Sequence, residues 1–419
     1  MDAAVLTEAT ATAYVAAAGY RVGPVGRVGV ELEYVVRDPA YPLDRPPTAR
    51  LYAALAHLGD PLPGGCRISV EPGGQLELSS AVGAGLQDCV DAVADDLALV
   101  RAALGADGLR LDPTGLDTGR KPRLVTEHPR YLALAAYHDR TGAAGRTVMC
   151  NTASVQVCLD AGDESAGWRG YRRRWRLANA IGPVLLAAFA NSPYVGASGT
   201  RWVSYRQALR FGTDASRTRA PRAAADPRTA WARYALDARV AVIARPDPLP
   251  WLVPAGGLTM RDWLAGHGPR PVTLDDLERH LATLVPPVRP RGYLEFRMID
   301  QQPGDGWVVP AAVTTALLDD PTAAHAAAEA TAQLGYLRPQ RAWLTSAREG
   351  LGNPALRSAA LTCFTAAADA LPRLGVSARV QAAVSDFVDR YVAPGRCPAD
   401  DIAATGNRIH LPRSVSARA

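Results

Sequence analysis

Arg27-Val28-Gly29-Val30-Glu31-Leu32-Glu33-Tyr34-Val35-Val36 is the stretch on which the fold turns. In an extended chain Val30, Leu32 and Tyr34 fall on one side and Glu31 and Glu33 on the other, because strand side chains alternate with period two. Two like charges at i and i+2 stand only about 6–7 Å apart and repel, so the pair contributes nothing to folding by itself. Either this acidic face is solvated or it has a use.

Three further segments share the polarity. Gln75-Leu76-Glu77-Leu78-Ser79 sets Gln75, Glu77 and Ser79 against Leu76 and Leu78. Ser154-Val155-Gln156-Val157-Cys158-Leu159-Asp160 and Tyr293-Leu294-Glu295-Phe296-Arg297-Met298 repeat the arrangement. An antiparallel sheet packed on helices by one face has this pattern. A face that merely met water would be rich in Lys and Thr; this one carries carboxylates, amides and Arg. The expectation is an α+β fold: a concave antiparallel sheet whose polar face takes hard cations and an anionic ligand, with helices on its outer face.

Composition narrows the chemistry. The chain has 419 residues, 48% of them hydrophobic, enough for one large domain with a substantial core. Lys121 is its only lysine. A phosphate-binding loop ending in Lys-Ser/Thr is missing, so phosphate would have to be met by arginine and metal, and arginine's planar fork suits it. Net charge is +5, and the one basic run, Arg172-Arg173-Arg174 beside Trp175, reads as the exposed face of a helix rather than a nucleic-acid patch. Six scattered cysteines without a CxxC pair give no zinc or redox motif and suit a reducing compartment. The acidic start Met1-Asp2-Ala3-Ala4 is unlike a signal peptide, and no run of about 20 apolar residues could span a membrane. The expected location is cytoplasmic.

The rest of the chain reads as follows. Residues 5–18, 48–57, 86–104, 165–190 and 274–284 are expected helices, another runs from His128 to about His138, and residues 67–71 form the first arm of a hairpin with Pro72-Gly73-Gly74 as its turn. Residues 109–112 and 149–160 are expected strands. Gly119-Arg120-Lys121-Pro122-Arg123 is a basic loop, and residues 213–227 an Arg-, Ala- and Pro-rich segment expected to be mobile beside a ligand mouth. The last residues read as a loose tail. Residues 1–419 form a single domain in this reading, with a mostly helical lobe at about 308–392.

Glu31 and Glu33, Glu77, and Glu295 come from three separate strands of like polarity. Gathered on one face they could not all stay ionised without a cation. Oxygen ligands without His or Cys suit magnesium, or manganese in its place. Arg297, two residues from Glu295, is placed to meet developing phosphate charge. Cys150 and Cys158, on or beside a buried strand, read as inert core thiols, and His280 as either a base or a packed structural residue.

Val30-Glu31-Leu32-Glu33, Glu71 through Ser79, Gly145 through Val157 and His280 with Pro286 through Arg297 together resemble the glutamate–cysteine ligase family, in its actinobacterial branch that serves ergothioneine biosynthesis and is similar to the plant-type enzymes. Gly395-Arg396-Cys397-Pro398-Ala399-Asp400-Asp401 extends the match, which covers most of residues 20–410. The resemblance implies a glutamine synthetase-like sheet funnel. It also implies that ATP phosphorylates the γ-carboxylate of L-glutamate and that the amine of L-cysteine displaces phosphate. Glu31, Glu33, Glu77 and Glu295 would hold magnesium. Arg297 and Arg146 would be the catalytic arginines, and Arg206, Gln75, Ser79 and Gln156 would meet substrates or phosphate. Gln156 stands where some branches have a histidine ligand, and Cys158 where the plant-like pattern has Asn. The partners would be ATP and the two amino acids, with no nucleic acid and no membrane, in a monomer or small homo-oligomer. A glutamate ligase with another amine acceptor and a guanidino-kinase-like phosphotransferase share the same metal and arginine face. An arginine-rich nucleic-acid binder would leave the inward carboxylates without a purpose.

Overall fold

A computed structural model of the chain describes residues 6–140, 142–196, 198–222, 225–336 and 339–404. The first five residues and the C-terminal tail from 405 lie outside them. The expected strands become β1 (Val28–Arg37), β2 (Arg67–Val70), β3 (Leu76–Ser79), β4 (Arg110–Asp112) and β5 (Ser154–Asp160). A two-residue pair, β6 (Tyr194–Val195) and β7 (Arg201–Trp202), stands apart. β8 (Val288–Pro290) and β9 (Tyr293–Asp300) complete the main sheet.

That sheet runs β2-β3-β1-β5-β9-β8, with every neighbour antiparallel, and the far end of β1 turns away to pair with β4. The register decides which side chains meet. Glu33 lies opposite Glu77, Glu31 opposite Gln156, Cys158 opposite Glu295, and Arg289 opposite Glu295. The other face is the core: Val30, Leu32, Leu76, Leu78, Val155, Val157, Leu294 and Phe296 are all buried. Helices Leu86–Ala106, Tyr171–Ala188 and Val308–Asp319 contact these strands, and one continuous apolar cluster runs from Ala11 to Val392.

One irregularity reorganises the sheet's end. Between Phe296 and Ile299, β9 carries one more residue than β5, so Arg297 and Met298 together oppose Gln156. This bulge shifts the inside–outside alternation by one position. Glu295 and Arg297 stay on the polar face, Met298 and Ile299 are both buried, and Asp300 lands opposite Ser154.

Three expectations are corrected. Residues 149–151 are not strand: Ala143–Asn151 is a helix, and β5 begins at Ser154. Thr147 and Thr152 support the helix by hydrogen-bonding back to the carbonyls of Ala143 (2.9 Å) and Val148 (2.7 Å), one helical turn earlier. The long helix begins at Tyr171, not 165, because residues 163–170 close a turn in which the Ser165 N–H and hydroxyl reach Asp163 (2.9 and 2.5 Å). The run Arg172-Arg173-Arg174 is not all outward. Arg174 is buried, donating to Asp319 (2.7 Å), the Leu318 carbonyl (2.7 Å) and the Asp160 carbonyl (3.1 Å). Residues 213–227 contain the short helix Ala215–Thr218. No helix among the described residues is long and apolar enough to cross a membrane.

The Arg174–Asp319 pair yields a stability test. Arg174→Met strands a buried carboxylate and should cost about 3–5 kcal/mol, whereas Arg174→Met combined with Asp319→Leu should recover most of it. Urea unfolding of the three proteins decides; equal stability of wild type and single variant would show the pair to be dispensable.

Candidate active site

The polar face of the sheet holds a row of acids crossed by arginines. Glu31 and Glu33 come from β1 and Glu77 from β3, and Glu71 directly follows β2 at the start of the hairpin turn. The turn is tight: the Glu71 N–H bonds the Gln75 carbonyl (2.8 Å), the Gly74 N–H bonds that of Glu71 (2.8 Å), and Gly74 has φ +83°. A Cβ on Gly73 would stand 2.1 Å from the Cys150 carbonyl oxygen, so no larger residue fits there.

Burial raises the carboxyl groups of Glu31, Glu71 and Glu77 to about 7. Repulsion adds to it: Glu295 and Glu77 act on Glu31, Glu33 and Glu31 on Glu71, and Glu33 and Glu71 on Glu77. Glu33 accepts from Ser154 (2.8 Å) and Gln156 (2.9 Å), and Glu77 accepts from Ser69 and Ser79 (both 3.2 Å). These partners are neutral, so the acids retain lone pairs for a cation. Oxygen donors at this density fit magnesium or manganese.

Glu295 is different. It is fully buried, with Arg289 Nε and Nη2 at 2.5 and 2.9 Å, Arg297 at 3.0 Å and Arg291 at 3.8 Å. Burial alone would push its carboxyl up; the charges of Arg289 and Arg297 outweigh that and hold it at about 2. Glu295 is thus occupied by guanidinium groups, whereas Glu33 and Glu77 meet only neutral donors. Its oxygens nonetheless lie near Glu31: ligand atoms of Glu31, Cys158 and Glu295 fall within 4.8 Å of one another. Burial drives the Cys158 thiol well up, so it stays protonated. Arg297 also donates to Gln156, which itself donates to Glu33; one chain of contacts links Arg297 to the acids.

Two cavities open at opposite ends of this face. The first is lined by Glu33, Glu71, Gln75 and Arg297 with Arg130, Arg206, Arg210 and Arg217. The bulge makes one of its walls. Asp300 accepts from the Asn191 N–H (2.9 Å), Ser192 (2.7 Å) and Ser204 (3.1 Å) and stands 3.4 Å from Arg206, whose Nη2 reaches the Arg297 carbonyl (3.0 Å). Arg210 donates to the Val285 carbonyl (2.8 Å) and pairs with no carboxylate among the described residues. Burial presses against the charged forms of Arg206 and Arg210. The second cavity is lined by the strand segments Val28–Glu31 and Cys158–Asp160, whose valine and leucine side chains point into the core, together with Val82, Tyr293, Ser79, Arg21, Arg27 and Arg291.

The sequence-derived residues therefore divide. Glu31, Glu33, Glu77, Glu295, Arg297, Gln156 and Ser79 share the polar face, and Arg206 and Gln75 line the first cavity. Gln75 does so while donating to the Thr152 carbonyl (2.9 Å). Arg146 is not with them. It lies on the helix Ala143–Asn151, pairs with Asp139 (Nε 2.9 Å) and does not line either cavity. The role expected for it from the family resemblance finds no support in this position. Glu71, Arg289, Arg210, Arg217 and Arg130 belong to the site as well. Glu71 carries the same hairpin signal as Glu77, and Arg289 is betrayed by its position opposite Glu295; the other three become neighbours of the site through tertiary packing alone. His280 is structural: its Nε2 meets the Ala235 carbonyl (2.8 Å), and burial holds it neutral, at about 3. Cys150 is likewise inert, raised by burial to about 11. Thr213, Asp214, Arg217 and Thr218, from the segment read as a ligand mouth, line the first cavity.

Comparison with known proteins agrees with this geometry. The family model described as glutamate-cysteine ligase family 2 (GCS2) matches residues 27–416. A glutamate–cysteine ligase EgtA from Mycolicibacterium smegmatis is 40% identical over 399 residues, 93% of this chain and 90% of its own. The EgtA of Mycobacterium tuberculosis H37Rv is 38% identical over 94% and 90% of the two chains. A chloroplastic glutamate–cysteine ligase of Medicago truncatula is 32% identical over 56% of this chain and 47% of its own. Among solved structures, the glutamate–cysteine ligase of Francisella tularensis in complex with AMP superposes with a TM-score of 0.53 at 13% identity, covering 92% of this chain and 86% of its own. That likeness concerns the fold.

The raised acids give a pH signature. Their folded pKa of about 7 exceeds the ordinary value of 4.5. Their contribution to stability is therefore fully present below pH 4.5 and is lost as pH rises through 7. In a chelating buffer, Glu77→Gln should gain stability relative to wild type as pH goes from 5 to 8, read as the difference in Tm by scanning fluorimetry. A difference that is flat with pH would show Glu77 to be ordinarily solvated.

Proposed function

The chain belongs to glutamate–cysteine ligase family 2, and we propose that it joins the γ-carboxylate of L-glutamate to the amine of L-cysteine at the expense of ATP, giving γ-glutamylcysteine for ergothioneine biosynthesis. The observation that carries this reading is the division of one acidic face between two unlike cavities. The arginine-lined cavity suits amino acids that arrive with several carboxylates. The cavity bordered by Val82 and Tyr293, with arginines at its polar side, suits a base and ribose with phosphates directed inward. Glu31, Glu33, Glu77 and Arg297 lie between, where a phosphoryl group would pass.

The chemistry follows from placement. A γ-carboxylate oxygen of glutamate takes the terminal phosphoryl group of ATP and ADP leaves. The cysteine nitrogen then attacks the acyl carbon and gives up a proton as phosphate departs. Carboxylate is a poor electrophile, and the acyl phosphate supplies its leaving group. Arg297, held by Glu295 and Gln156, is aimed at the charge that develops on the transferred group. Glu31, Glu33, Glu71 and Glu77 would hold magnesium or manganese, with Glu295 at its edge; the ion supplies neutralisation of phosphate charge. Arg206, fixed by Asp300, and the uncompensated Arg210 are assigned to substrate carboxylates.

Product analysis tests the reading. With ATP, magnesium and glutamate, ADP release should rise sharply when cysteine is added, and mass spectrometry should find γ-glutamylcysteine. A phosphorylated product, or equal rates with unrelated amines, would overturn it. Glu77→Gln should lower kcat by a factor on the order of 10² or more with circular dichroism unchanged. Arg297→Lys should fail comparably, because an ammonium cannot span Glu295, Gln156 and a phosphoryl oxygen at once. Near-normal turnover of either variant at saturating magnesium would remove that residue from the mechanism.

A further inference from the structure

A second basic recess lies beside the hairpin turn, where Arg45 meets the Gly73 carbonyl, and its lining shares no residue with either cavity of the active site. It is lined by Arg45, Arg120, Lys121 and Arg123, with Asp44 as its one carboxylate. Arg120 is neutralised at Asp117. Arg45 is not neutralised: its guanidinium is held by three uncharged oxygens, the Gly73 carbonyl (2.6 Å), Asn151 Oδ1 (2.6 Å) and the Lys121 carbonyl (3.2 Å). Lys121 and Arg123 are exposed and pair with no carboxylate among the described residues. Thr48, at the start of the helix Thr48–Leu55, lines the same recess, and no side chain caps that end.

Three positive charges converge here with one acid to offset them, and the fold maintains the arrangement. Asn151 donates to the Asp117 (2.9 Å) and Arg120 (2.7 Å) carbonyls, which shapes the loop that presents Lys121 and Arg123. Like charges held together repel, and the repulsion is relieved when an anion joins them. The uncapped helix start adds N–H donors and a positive dipole end on the same side. We propose that this recess is an anion-binding site for a compact phosphate-bearing ligand, separate from the catalytic face. Lys121 and Arg123 supply its exposed contacts and Arg45 its floor. The class follows from the donors: guanidinium, ammonium and helix N–H groups recognise phosphate oxygens.

Inorganic pyrophosphate, titrated calorimetrically into the magnesium-free full chain, is the test. Two double variants are compared, Lys121→Ala/Arg123→Ala in the recess and Arg27→Ala/Arg291→Ala at the second cavity of the active site. All four residues are surface-accessible, and retained circular dichroism establishes folding. Wild type should bind pyrophosphate, the recess variant should lose one equivalent or bind it at least tenfold more weakly, and the cavity variant should keep that equivalent. Added salt should weaken it. Unchanged binding by the recess variant, loss of all binding in the cavity variant, or no binding by wild type would each overturn the assignment.

Discussion

Crowding of carboxylates on one face of a sheet is the constraint that everything else accommodates. Glu33 and Glu77 sit directly opposite each other across β1 and β3, and Glu31 and Glu71 are close enough to raise their neighbours' affinity for protons. Such a face costs stability, and a protein selected for folding alone would not keep it. The fold contains the cost in two ways. At Glu295 it supplies guanidinium groups, which stabilise the ionised form outright. At Glu33 and Glu77 it supplies neutral Ser and Gln donors, leaving charge that a divalent cation can take up.

This contrast separates two roles that the spacing of acidic residues alone makes look alike. In the sequence Glu295 is one of four equivalent glutamates. In the structure it is the pivot of an arginine cluster, with Arg289 from the neighbouring strand and Arg297 from its own. The difference arises from a cross-strand partner, which period-two alternation cannot reveal. The same holds for Arg206: its worth depends on Asp300, and Asp300 reaches the polar side only because β9 carries an extra residue.

Much of the architecture was readable beforehand. Alternation located the four central strands, the Pro72-Gly73-Gly74 turn set the hairpin, and near absence of lysine pointed to arginine for anion recognition. The failures have a common physical origin. The expected strand from 149 starts late, because residues 149–151 finish a helix that threonine back-bonding and packing of Gly145 against His138 hold in place. Arg146, on that helix, lies outside both cavities. Arg174, one of three consecutive arginines, goes inward because Asp319 arrives from a helix 145 residues away. Local pattern reports which face a residue can occupy; distant partners decide what it does there.

The extra residue in β9 also bears on how this protein can change over evolutionary time. Substitutions along the strand alter individual contacts, but loss or gain of a single residue between Phe296 and Ile299 would exchange the environments of everything beyond it, sending Asp300 toward the core and a hydrocarbon toward the substrates. Descendants should therefore vary in side-chain identity here while keeping the segment's length fixed. An insertion tolerated elsewhere in the chain would be lethal to function at this spot even though no reacting group had been replaced.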